Sequence, residues 1–302
     1  MSARVVLFMT LVACACEPWE DRSPPSPARV RPSVPAFMPP SGFERLRLGL
    51  VPSLSGRSMT ESHQRLVDYL SKTLSVPVEL EIGTSYQDVI ERVAKGQYDL
   101  VELSPTAYVK ASGEVHLKCL VQNISDGSEF GVGYLVVADD SPRRDLADLK
   151  GASIGFVDPL STSGYVYALK MLKDHGLDPK RDFSRVEFLG NHEAVLMAVK
   201  EGRVEVGATY QRAFVALRRS QGIEPRAFRV IAKSRRMPRD VLCVRPGISA
   251  EVADAISHAL LAIDTRDRVG REILGPLGLN GYRAIDERSF DEVRRLATEQ
   301  GP

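Results

Sequence analysis

The chain has 302 residues, 43% of them hydrophobic, enough for two lobes of ordinary domain size with a core in each. Forty Lys and Arg against 39 Asp and Glu leave a formal charge of +1, so the concentrated basic face that a nucleic-acid partner requires is not expected. After the N-terminus no apolar run approaches the roughly 20 residues that span a bilayer. The body therefore reads as a soluble monomer for a small ligand.

The first element is an address. Arg4 supplies a short positive region, residues 5–12 an apolar core, and Leu11-Val12-Ala13-Cys14 stands where a signal peptidase would cut. That tetrapeptide resembles the lipobox of bacterial lipoproteins, which implies removal of residues 1–13 and a lipid on Cys14. An ordinary signal peptide is the alternative, and both readings export the protein. Residues 14–44 follow as a tether, because eight prolines with scattered Ser and Arg cannot bury a core.

From Leu46 onward, apolar runs of two periodicities alternate. They predict a strand at 46–51, a helix at 60–74, a strand at 76–82, a helix at 86–95 and a strand at 98–103. The same order restarts after Gly151, with strands at 153–157, 185–189 and 204–208 and helices at 165–175 and 193–201. Alternation of this kind means doubly wound α/β sheets. The two halves also match in register at an offset of 106: Leu48-Gly-Leu-Val51 on Ile154-Gly-Phe-Val157, and Gly96-Gln-Tyr-Asp-Leu100 on Gly202-Arg-Val-Glu-Val206. A last strand at 241–245 and helices at 250–264, 269–274 and 286–298 are expected to return to the first lobe. The lobes would then be 45–136 with 239–302, and 137–238, with hinge crossings near 136–138 and 234–240. Cys119 and Cys243 lie in apolar strand-like runs, where a disulfide and two buried thiols are both open.

The offset lays Ser55 on Ser161 and Tyr86 on His192, in turns at the carboxyl ends of strands. That edge is where open α/β sheets take ligands, and two such edges facing each other make a cleft. The densest chemistry sits at Asp158-Pro-Leu-Ser-Thr-Ser-Gly-Tyr165. Here Ser161, Thr162 and Ser163 stand at a helix start, where free N–H groups and the helix dipole favour an anion. Gly164 lets the main chain come close. A plain helix cap would use only one of the three hydroxyls.

These residues, with Gly190-Asn-His-Glu-Ala194, Gly202-Arg-Val-Glu-Val-Gly-Ala208 and Leu103-Ser-Pro-Thr-Ala-Tyr-Val109, resemble the signature of the PhnD-like periplasmic phosphate/phosphite/phosphonate-binding proteins. The resemblance runs from about Leu46 to Asp291. It implies a type II periplasmic-binding fold feeding the permease and ATPase of an ABC importer. It also implies oxyanion ligands at Ser161, Thr162, Ser163 and His192, with Tyr108 from the first lobe. Tyr210 would shape the wall, Ser55 could add a hydroxyl, and no cofactor or metal is implied. His192, if charged, would neutralise part of a dianion.

Family members that accept an amino group place acidic residues after the strand equivalent to 204–208, where this chain reads Thr209-Tyr-Gln-Arg212. A ligand without a cationic tail is therefore expected: phosphate, phosphite or a small alkylphosphonate. An enzyme is the rival reading. However, the chain has no Gly-x-Ser-x-Gly elbow, and His63, His116, His175, His192 and His258 show no metal-protease spacing. A sensor that presents the same fold to a membrane kinase is a further alternative.

Overall fold

The computed structural model describes residues 37–299; the expected signal peptide, the expected lipid attachment at Cys14 and most of the proline-rich segment lie outside the described residues. No helix among the described residues is long and apolar enough to cross a membrane. The chain enters as strand β1 (Leu46–Leu50), whose three leucines are fully buried. Helix α1 (Gly56–Leu74) starts on a cap from Ser55 and ends on Ser75 in the left-handed conformation, φ 55°. Its buried face carries Met59, Leu66, Val67, Leu70 and Leu74, an i, i+3, i+4 stripe. Next come β2 (Val78–Ile82), α2 (Tyr86–Ala94), β3 (Leu100–Leu103), α3 (Pro105–Glu114) and β4 (Lys118–Ile124).

A short strand, β5 (Phe130–Gly131), leads to β6 (Gly133–Ala138) and then β7 (Ser153–Phe156). A turn of π-helix, Thr162–Val166, runs into α4 (Tyr167–Asp174), followed by α5 (Pro179–Asp182) and β8 (Arg185–Phe188). The second unit closes with α6 (His192–Lys200), β9 (Val206–Tyr210), α7 (Gln211–Gln221) and β10 (Phe228–Lys233). The chain then passes through β11 (Met237–Pro238) to β12 (Val241–Val244), α8 (Ala250–Leu261), α9 (Arg268–Leu274), β13 (Gly281–Arg283) and α10 (Asp291–Thr298).

The strands form a six-stranded sheet, β13-β4-β12-β3-β1-β2, and a five-stranded sheet, β10-β6-β9-β7-β8. In each, three parallel strands meet one antiparallel strand contributed just after the chain changes sheets: β12 beside β3, and β6 beside β9. The two registers repeat residue for residue at the offset of 106. Arg47 pairs Glu79 as Ser153 pairs Arg185, and Leu48 pairs Leu100 as Ile154 pairs Val206. Helices α2 and α6 begin and end at matching positions, on the caps Ser85 and Asn191.

The two crossings pair as a small ribbon, with Met237 opposite Gly131 and Pro238 opposite Phe130. The first crossing is thus at 130–131 and not at 136–138 as expected. Val136 and Val137 are fully buried in β6, paired to β9 and β10, so they belong to the second core. Helices α3 and α7 are not among the elements expected from the sequence. Each follows directly on a strand, and the buried side chains of α7, Ala213, Phe214, Ala216 and Leu217, are too few to announce a helix by period alone. Cys119 and Cys243 face each other in register on β4 and β12 as free thiols.

The matched glycines have a packing cause. A Cβ on Gly49 would lie 2.4 Å from the ring of Tyr98, and one on Gly155 would lie 2.7 Å from Leu189 and 3.2 Å from Val204. Tyr98 and Val204 are themselves related by the offset, so one close approach is built twice. Gly49→Ala is expected to cost about 1–3 kcal/mol by overpacking a fully buried ring, read as a lower urea midpoint with an unchanged slope. A wild-type midpoint would remove the packing explanation.

Candidate functional site

Six helical segments follow the parallel strands, and each begins at the carboxyl edge of its sheet. The residues at those starts, Ser53, Tyr86, Ser104, Ser161, His192 and Tyr210, line one cavity of about 430 Å³ between the two sheets. Unpaired N–H groups and positive dipole ends are thereby concentrated on one volume.

The Ser-Thr-Ser turn divides its hydroxyls among three tasks. Ser161 is the cap: its Oγ accepts from the Gly164 N–H at 3.1 Å, while its carbonyl receives the N–H groups of Tyr165 and Val166, both at 3.1 Å. Thr162 joins the two units, its Oγ1 accepting the Thr106 N–H at 2.9 Å and lying 3.0 Å from Thr106 Oγ1. Ser163 looks into the cavity, 3.4 Å from His192 Nε2. The N–H groups of Thr162 and Ser163, first in their helix, have no intrahelical acceptor. Gly164 is required here, because a Cβ would sit 2.4 Å from Val157.

His192 opens α6 and is only 2% exposed. Its Nδ1 lies 3.3 Å from Thr209 Oγ1, and its main-chain N–H donates to the Ser53 carbonyl across the cleft at 3.0 Å. With hydroxyls on both ring nitrogens, desolvation alone drops its pKa to about 3. The ring is neutral at physiological pH, not the cation that the sequence suggested. Tyr210 stacks against it at 4.5 Å between centroids and, buried, keeps its proton with a pKa pushed up to about 12. Tyr86, the offset partner of His192, lies close to Ser161 and Asp158, and burial raises the pKa of its hydroxyl. Ser104 Oγ donates to the Leu160 carbonyl at 2.8 Å and Ser58 Oγ to Glu193 at 2.7 Å, and these bonds hold the two units together around the cavity.

Ser161, Thr162, Ser163, His192 and Tyr210 are thus brought together, but two expected residues are not. Tyr108 is a core residue. It lies one turn inside α3, edge-on to Phe290 at 5.2 Å, and its hydroxyl donates to Glu287. Its ring therefore serves α10 and not the cleft. Ser55 caps α1 through the Ser58 N–H at 3.3 Å, and Ser53, two residues earlier, lines the cavity instead.

Three further lining residues escaped the sequence: Arg212, Arg239 and Asp240. The cavity does hold a carboxylate, so the premise that none is present is corrected. It arrives on the return crossing ahead of β12, and not on the turn after β9. Burial, followed by the neighbouring Glu102, lifts the pKa of Asp240 to about 7, while Arg212 and Arg239 pull it down. The adjacent Arg239-Asp240 pair at a crossing was the available signal. Asn123 also lines the wall, buried, with its Oδ1 unpartnered and its Nδ2 donating to Glu102 at 2.8 Å.

A family model described as "ABC transporter, phosphonate, periplasmic substrate-binding protein" matches residues 48–290. The phosphate-import protein PhnD of Mycolicibacterium smegmatis is 25% identical over 264 residues, 83% of this chain and 82% of its own. The phosphonates-binding periplasmic protein of Escherichia coli is 24% identical over 257 residues, 83% of this chain and 75% of its own. The crystal structure of PhnD1 from Prochlorococcus marinus in complex with methylphosphonate superposes with a TM-score of 0.78 at 16% identity, covering 85% of this chain and 98% of that one.

His192 and Asp240 oppose each other in acid. Between about pH 3 and 6.5 the unfolded chain binds the His192 proton and the folded one does not, so this group lowers stability as pH falls. Between about pH 4 and 7 the folded chain binds the Asp240 proton first, so this group raises stability as pH falls. His192→Gln should therefore gain on wild type by up to about 1.4 kcal/mol per pH unit below 6.5, and Asp240→Asn should lose ground over the same range. Urea titrations at pH 7 and 5 test both signs. Parallel shifts of the two variants would disprove the assignment.

Proposed function

The chain belongs to the family of periplasmic substrate-binding proteins of phosphonate ABC transporters, with the type II two-lobed fold, and on that premise we propose that it binds a small phosphorus oxyanion at the Ser161–Ser163 turn. The supporting observation is the turn itself. Two main-chain N–H groups without an intrahelical acceptor, the Ser163 hydroxyl and a neutral His192 ring belong to residues that line one cavity with those near six helix starts. Donors held in a preorganised site are what an oxyanion needs. The class is phosphate, phosphite or a small phosphonate without a cationic tail, since Arg212 and Arg239 flank the carboxylate of Asp240. The lobes, with the first boundary moved to the crossing at 130–131, would span 45–131 with 239–302 and 132–238, closing on the ligand for an ABC permease and its ATPase. Cys14 would carry the lipid that holds the protein to a membrane at the periplasm.

Ligand at 100 times its dissociation constant adds about 2.7 kcal/mol of stability, so a thermal-shift series of phosphate, phosphite, methylphosphonate, 2-aminoethylphosphonate and sulfate should show a clear rise for the phosphorus oxyanions. Ser163→Ala is the clean variant, because Ser161 and Thr162 have structural partners. It should weaken binding about tenfold, the loss of one hydrogen bond to an anion, with little change in melting of the free protein. Unchanged affinity, or tightest binding by 2-aminoethylphosphonate, would contradict the assignment.

A further inference from the structure

The Ser161–Ser163 turn makes up only part of the cavity lining. A volume of about 430 Å³ corresponds to about fourteen waters at roughly 30 Å³ each, whereas methylphosphonate has only about five non-hydrogen atoms. Another part of the wall is of a different kind, because Arg212, Arg219, Arg236 and Arg239 all line it. None of the four is ion-paired among the described residues. Arg212 donates to Ser62 Oγ at 3.1 Å, Arg236 to Ser128 Oγ at 2.9 Å, and Arg239 to the carbonyls of Ser128 and Ser125 at 3.0 and 3.2 Å. The carboxylates lining the same cavity are Asp126 and Asp240, so cations exceed anions by two.

This differs from the treatment of arginine where it serves the fold. Arg47 and Arg245 both grip Asp99, at 2.9 and 3.0 Å. Arg239 is partly buried, and desolvation holds its guanidinium below its ordinary pKa, an arrangement that an anion would relieve. The same lining includes the apolar Met237, Leu277 and Leu279. The cavity thus combines oxyanion donors, hydrocarbon surface and guanidinium forks suited to a carboxylate or phosphate.

We propose that the ligand is an organic phosphonate or phosphate ester carrying a second anionic group, with its phosphorus head on the Ser161–Ser163 turn and its second anion among Arg219, Arg236 and Arg239. The proposal rests on the oxyanion seat inferred above. Calorimetry of the full chain with propylphosphonate and 3-phosphonopropionate isolates the second charge at one chain length. The carboxylate should tighten binding at least about tenfold, one charge-assisted pair, and the gain should shrink as salt is raised. In Arg219→Gln/Arg236→Gln, two exposed positions, the ratio should fall toward one. Equal or weaker binding of 3-phosphonopropionate by wild type, or an unchanged ratio in the double variant, would overturn the proposal while leaving the turn assignment standing. A Ser163→Ala loss common to both ligands would mark that second case. If neither ligand binds, the oxyanion seat fails and this inference fails with it.

Discussion

Six helices aim their N-termini at one volume, and most of the molecule follows from that convergence. Each parallel strand delivers a helix start to the carboxyl edge of its sheet, and the two sheets present those edges to each other. The donors left over at helix starts cannot be satisfied within their own helices. Some are capped by Ser55, Ser85, Ser104, Ser161 and Asn191. Those of Thr162 and Ser163 have no acceptor in their own helix, and both residues line the cavity. An electropositive pocket is thus a consequence of the winding, before any charged side chain is added.

Polar side chains around that pocket divide between holding the two units together and meeting a ligand. Thr162 with Thr106, Ser104 with the Leu160 carbonyl, and Glu193 with Ser58 are bonds of the first kind. Ser163, His192 and Tyr210 line the cavity and are proposed for the second. The crossings meet the cavity as well, since Phe130, Met237, Pro238 and Arg239 all line it. The ribbon that joins the units is therefore also part of the site wall, and any change in the angle between the sheets moves Asp240 and Arg239 relative to the turn.

Electrostatically the proposed oxyanion seat rests on a neutral ring. Burial keeps His192 uncharged. Positive charge is supplied by other lining residues, arginines that have hydroxyl and carbonyl partners and no ion pair among the described residues. The division has a physical logic. Neutral donors recognise an oxyanion at low desolvation cost, and the arginine charges contribute attraction at longer range, where solvent screens them.

Local pattern was sufficient for the two α/β repeats, their offset of 106 and the hydroxyl turn, because strand and helix periods, caps and glycines are written within a few neighbouring residues. It even placed Tyr86 opposite His192. What it could not settle was the direction of side chains inside unrecognised helices: Tyr108 was expected at the cleft, and the packing of α3 on Phe290 turns it inward. Nor could it bring Asp240, Arg239 and Asn123 to a cavity whose other wall lies at Ser161. Those residues meet because the chain crosses between the sheets twice, and distances set by topology leave no local trace in sequence. The protonation of His192 belongs to the same category: it depends on what surrounds the ring in space, and only the folded chain supplies that surrounding.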